Sequence, residues 1–105
     1  MILSIAISIN NVPIRLTDER WDHILGSHPE VASYRETVLD AVENPDYILA
    51  SRRGAFAAVA VLGRKAFLHV FYVEKSRHDG FILSARVEQE IDKARIVWRK
   101  ENQEQ

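Results

Sequence analysis

AFLHVFYVEKSRHDGFILSARV, residues 66–87, is the stretch that decides the fold. It holds two runs rich in aromatic and branched side chains, Ala66 to Val73 and Phe81 to Val87. The polar link from Glu74 to Gly80 between them is of the kind that joins antiparallel strands. Ala66 to Val73 is apolar on both faces, which marks a central strand covered on both sides, with His69 inside it. In the second run, alternation sends Phe81, Leu83, Ala85 and Val87 to one face and Ile82, Ser84 and Arg86 to the other. A serine and an arginine then stand side by side on a sheet surface.

Working upstream, Ala55 to Leu62 and Tyr47 to Ala50 also read as strands, bounded by Ser51-Arg52-Arg53-Gly54 and Gly63-Arg64-Lys65. The expectation is a meander of about four main strands. At the start of the chain Ile2 to Ile9 alternates, with Leu3, Ile5, Ile7 and Ile9 on what reads as its buried face. Asn10-Asn11 turns it into a short strand from Val12 to Leu16. Thr17 is a good helix N-cap, and Asp18 and Glu19 put negative charge on the positive helix end. Trp21, Ile24, Leu25 and His28 share one helical stripe, while His23 points about 140° away from His28. Pro29 disfavours helical backbone at His28 and frees that imidazole to turn elsewhere. A second helix is expected over 30–43 and ends at Asn44-Pro45-Asp46. The tail from Glu88 places Ile91, Ala94 and Trp98 on one stripe and predicts a last amphipathic helix. The order is ββααββββα, an α+β domain spanning residues 1–105, with an antiparallel sheet packed by helices.

Composition excludes several chemistries. The 105 residues contain no cysteine, which removes thiol nucleophiles, disulfides and thiolate zinc sites and agrees with a reducing, cytoplasmic setting. The opening MILSIAISI is about half the length of a membrane helix, so no membrane association is expected. With 14 basic against 15 acidic residues, no global field draws the chain to nucleic acid. No metal is expected: His23 and His28 are five apart, not three or four, and no HExxH occurs. Neither a GxSxG elbow nor a glycine-rich phosphate loop is present, and no cofactor is implied.

The remaining chemistry rests on histidine, serine and arginine. Arg86 either pairs with a carboxylate or offers its planar fork to a phosphate, with Ser84 beside it. His23 and His28 either divide base and acid roles or serve as a surface residue and a helix-ending one. His69 reads as a hydrogen-bonded core residue and His78 as an exposed loop residue. In an antiparallel meander Arg52-Arg53 fall at the same end as Lys75, Arg77 and His78, and Arg64-Lys65 fall with Arg86 at the other. Each cluster could meet a phosphate backbone or simply be solvated.

LTDERWDHILGSHPE (16–30), VLDAVENPDYIL (38–49) and GFILSAR (80–86), in that order, resemble the phage-associated group of Barnase, EndoU, colicin and RelE-like nucleases, the BECR fold. Trp21-Asp22, His28, Pro45-Asp46 and Ser84-Ala85-Arg86 are also similar to the BrnT type of RelE-like toxin. The resemblance implies metal-independent RNA cleavage, by the toxin of a toxin–antitoxin pair or a phage-derived nuclease. In it His23 and His28 transfer protons, Arg86 steadies the phosphate and Ser84 orients a phosphate oxygen. Arg52, Arg53, Arg64, Lys65 and Lys75 would contact the RNA backbone. The expected partners are RNA, an antitoxin protein and a second copy of the chain. The rival expectation is a non-catalytic protein-binding module whose working surface lies near Phe56, the alanine-rich strand 55–60 or Trp98.

Overall fold

The computed structural model describes residues 2–101. Seven strands form one sheet: β1 (Ile2–Ile7), β2 (Pro13–Thr17), β3 (Tyr47–Ala50), β4 (Phe56–Gly63), β5 (Ala66–Ser76), β6 (Asp79–Glu88) and β7 (Ile96–Arg99). Their spatial order is β1-β2-β6-β5-β4-β3-β7. All neighbours are antiparallel except β2 and β6, which run parallel and pair at Ile14–Gly80 and Arg15–Phe81. The α+β class therefore stands, but the sheet is mixed and larger than about four strands. The four expected strands are its middle, β3 to β6, and the N-terminal hairpin and the tail extend it on either side.

Helices α1 (Asp18–Ser27) and α2 (Arg35–Glu43) occupy the connection between β2 and β3. Thr17 caps α1, its hydroxyl accepting from the Arg20 amide at 3.1 Å. His28 leaves the helix at φ −137°, as expected before Pro29. The expected second helix is divided: Pro29–Tyr34 is a 3-10 turn, and only Arg35–Glu43 is α-helical. Both helices bury their stripes on one side of the sheet. Ile24, Val38, Ala41 and Val42 join Leu68, Val70, Tyr72, Ile82 and Ala85 in the main core. Ala58 belongs to it too, so the small residues of β4 admit α2 and are no free partner surface. On the other side a smaller cluster of Leu49, Ala57 and Val59 is covered by Phe67, Phe71, Ile91 and Ile96.

Three local readings are corrected. The tail is not helical: Asp92 caps a 3-10 turn over Lys93–Arg95, and Ile96–Arg99 then pairs with β3. Ile96, Val97 and Trp98 favour extended backbone, and β3 offered an edge needing a partner. In β1 the isoleucines face outward, Ile5 at 52% and Ile7 at 41% exposure, while Ala6 and Ser8 are buried. Packing of α2 on β1 leaves room only for small side chains there; the Leu3 side chain lies outside the described residues. Ser8 is satisfied by donating to Glu74 Oε2 at 2.6 Å.

The third correction lies in β6. Phe71 pairs with Ser84 but Tyr72 pairs with Ile82, so Leu83 is an extra residue, a β-bulge. Strict alternation fails at this point. Ile82 and Ala85 share the helix-covered core, and Leu83, Ser84 and Arg86 look out on the opposite side.

Gly80 fixes the parallel junction. A Cβ there would lie 2.4 Å from the Val73 carbonyl oxygen and 2.6 Å from Ile14 Cδ1. Gly80→Ala is expected to lower stability by about 1–3 kcal/mol, the usual penalty for overpacking, read as a fall in the urea midpoint. Tyr72, buried in the core, has its hydroxyl pushed up to about 12 by desolvation, with the Glu74 carboxylate adding to the rise. The folded state then holds this proton more tightly than the unfolded chain, so stability is full below pH 10 and falls as the pH climbs towards 12. Tyr72→Phe is expected to remove that alkaline loss in denaturation measured across pH.

Candidate functional site

The face turned away from the helices carries an open hollow of about 830 Å³. Its floor is Phe71, Val73, Leu83 and Ser84, and its rim is Ser51, Arg52, Arg53 and Arg86. Among the described residues no acidic side chain lines it. A second hollow of about 270 Å³ shares Ser51, Arg52, Phe71 and Arg86 and continues past His69 to Glu88, Glu90, Asp92 and Arg95. Together they form a trough with a basic end and a mixed end.

The β3–β4 turn places two of the three arginines. Ala55 donates its amide to the Arg52 carbonyl at 2.9 Å, and the two central residues, Arg53 and Gly54, have φ of 57° and 78°. Positive φ at both central positions defines a type I′ turn, which suits the twist of a hairpin. Glycine tolerates this backbone, but arginine there is strained by about 1–2 kcal/mol. Among the described residues neither Arg52 nor Arg53 has a carboxylate partner. Two unpaired guanidinium groups, one on a strained residue, thus stand at the rim of a hollow.

Arg86 combines the two roles weighed from the sequence. Its Nε donates to the Glu88 carboxylate, its guanidinium lies 4.7 Å from the Phe71 ring centroid, and it borders the open hollow. The bulge and the Phe71 contact bring it to Arg52 and Arg53, not to Arg64 and Lys65. Those two are exposed on the β4–β5 turn, at the far end of the sheet. Lys75 is exposed near the end of β5, on the Arg52 side, and lines neither hollow.

The histidines divide. His23 is exposed on α1. His28 has Nδ1 3.7 Å from Glu30 Oε2, and the same oxygen accepts from the Val87 amide at 3.4 Å. His28 therefore stands beside β6, on the stretch β2 no longer covers, and neither it nor His23 lines either hollow. His69, read as a core residue, is 6% exposed and sits opposite Arg86 in the β5–β6 ladder. Its Nδ1 is 3.1 Å from the Phe67 carbonyl oxygen and its ring stacks on Phe71 at 6.1 Å. A proton on Nδ1, donated to that carbonyl, leaves Nε2 as the basic nitrogen. Ser51 and Phe71 line the trough without having been singled out in the sequence, and His69, read there as a core residue, lines it as well. The available signal was the period-two spacing of Phe67, His69 and Phe71 and the Arg-Gly pair at the turn. Among the described residues no group of three metal-ligating side chains is assembled.

No family model, curated protein or solved structure matches the chain. Arg53→Gly is expected to raise stability by about 1 kcal/mol through relief of the left-handed backbone, seen as a higher melting temperature.

Proposed function

We propose that the chain is a small metal-independent endoribonuclease of the RelE/BECR type, with its RNA lying in the arginine-lined trough. The observation that carries this reading is the meeting of Arg52, Arg53 and Arg86 with Ser84 in a hollow that, among the described residues, has no acidic lining residue. Guanidinium forks match phosphate oxygens bidentately, and Phe71 offers a flat apolar surface for a base.

In this reading Arg86, pinned by Glu88 and Phe71, stabilises the crowded phosphate as negative charge builds on it. Ser84, one pleat away, donates to a phosphate oxygen. The base is His69: Nε2 takes the ribose 2′-hydroxyl proton, and the 2′-oxygen attacks phosphorus. The 5′-oxygen leaves and takes a proton from the water that the open trough admits. The products are a 2′,3′-cyclic phosphate and a 5′-hydroxyl. His23 and His28, the proton-transfer pair implied by the resemblance, are reassigned because neither borders the hollows that hold Arg86. A toxin role, with an antitoxin covering the trough, follows from the same resemblance.

The test is RNA cleavage under chelator, followed by end-group analysis. Arg86→Gln is expected to lower the rate by about 10²–10³-fold, and His69→Asn by about 10²-fold or more with loss of the acid-side limb of the pH profile, where protonation silences a base. His23→Ala stays within about twofold of wild type, since nothing in the reading uses it. A wild type that cleaves no faster than Arg86→Gln overturns the enzyme reading. Loss of activity in His28→Ala with His69→Asn intact returns the base role to His28.

A further inference from the structure

The trough does not end at Ser84. Phe81 lies on the same open face, paired with Val73, just as Ser84 is paired with Phe71. Two residues along β5 and one strand across separate the two rings by about 8 Å. Each ring has a guanidinium beside it: Arg86 at 4.7 Å from the Phe71 centroid and Arg15 at 5.7 Å from that of Phe81. Arg15 is held by Asp79, donating through Nε at 2.8 Å and Nη2 at 3.1 Å, which keeps the Asp79 carboxyl below the usual carboxylate range. That pair has little net charge but fixes a flat surface next to Phe81. Beside it a hollow of about 270 Å³ opens where β2 leaves β6, lined by Arg15, Thr17, Arg20, Phe81 and Ile82. Arg20 has no carboxylate partner among the described residues.

We propose that Phe81, Arg15 and Arg20 form a second nucleotide subsite, so that one single-stranded RNA crosses the sheet with one base on Phe71 and another on Phe81. The inference rests on the trough being an RNA site. Phe81 supplies the stacking surface, the fixed Arg15 plane extends it, and Arg20 receives the phosphate on the far side. A single strand is required because bases stacked within a duplex are about 3.4 Å apart, and platforms about 8 Å apart hold only bases that have been splayed.

The experiment is fluorescence anisotropy under chelator, using end-labelled 2′-O-methyl uridine probes, which lack the attacking hydroxyl. A hexamer reaches both subsites and an end-labelled single nucleotide fills one. Phe81→Ala and Arg20→Gln are each expected to weaken the hexamer by about 5–30-fold and the single nucleotide by less than twofold, whereas Arg86→Gln weakens both. Arg20→Gln keeps the test open if Phe81→Ala does not fold. Wild-type hexamer affinity in folded Phe81→Ala and Arg20→Gln, with Arg86→Gln impaired, overturns the subsite and leaves the trough standing. No binding of either probe by wild type overturns both. Equal affinity for a hexamer duplex overturns the single-strand assignment.

Discussion

The structure turns on one irregular pairing, two residues of β6 set against one step of β5 at Leu83. A perfectly alternating β6 cannot satisfy the core and the open face together. Ile82 and Ala85 are an odd number of residues apart, yet both are buried on the helix side. Without the bulge, either Ile82 would lie in water, forfeiting about 1.5–3 kcal/mol of apolar burial, or Arg86 would enter the core without a matching charge. The extra residue lets one strand supply Ile82, Ala85 and Val87 to the core and Leu83, Ser84 and Arg86 to the trough. Bulges gather at functional surfaces because they re-aim side chains in this way.

That the second face stays open follows from the connectivity. Both helices lie in one connection, β2 to β3, and bury their stripes on the same side of the sheet. On the other side, among the described residues, only the segment after β6 returns, laying Ile91 and Ile96 over Leu49, Ala57 and Val59. This segment covers one end of the face and forms the mixed wall of the second hollow. The side of β6 that β2 does not cover is closed locally by Glu30, whose carboxylate accepts from the Val87 amide. An edge capped by a charged side chain resists further strand pairing.

Much of this was legible in the sequence wherever local chemistry decides the outcome. Thr17 caps its helix, Pro29 expels His28 from it, and the strand runs 47–50, 55–62, 66–73 and 81–87 lie within about three residues of the observed bounds. What was illegible depends on partners distant in sequence. The bulge exists because β5 and the core jointly demand it, and nothing in FILSARV by itself reveals an extra residue. The tail became a strand because β3 had a free edge, although Ile91, Ala94 and Trp98 fit a helical stripe as well. The isoleucines of β1 face out because α2 presses on Ala6, a fact of packing and not of hydrophobicity. His69 is the buried, hydrogen-bonded residue its strand implied, but a strand apolar on both faces hides that its ring borders the open side.

A formal charge of −1 does not argue against phosphate recognition once the distribution is considered. Screening limits exposed charges to about 8–10 Å at physiological salt, so a phosphate in the larger hollow responds mainly to Arg52, Arg53 and Arg86. The carboxylates lie to one side: Glu88, which holds Arg86 and offsets its charge, walls the second hollow with Glu90 and Asp92, and Asp18 and Glu19 sit in the first turn of α1. The separation gives the trough a direction of charge, basic at the β3–β4 turn and acidic at the 88–92 wall. In the proposed reading, a chain entering at Arg53 and passing Arg86 would be turned across β6 towards Phe81 and Arg20. Its two stacking surfaces are the rings that the bulge leaves on one face.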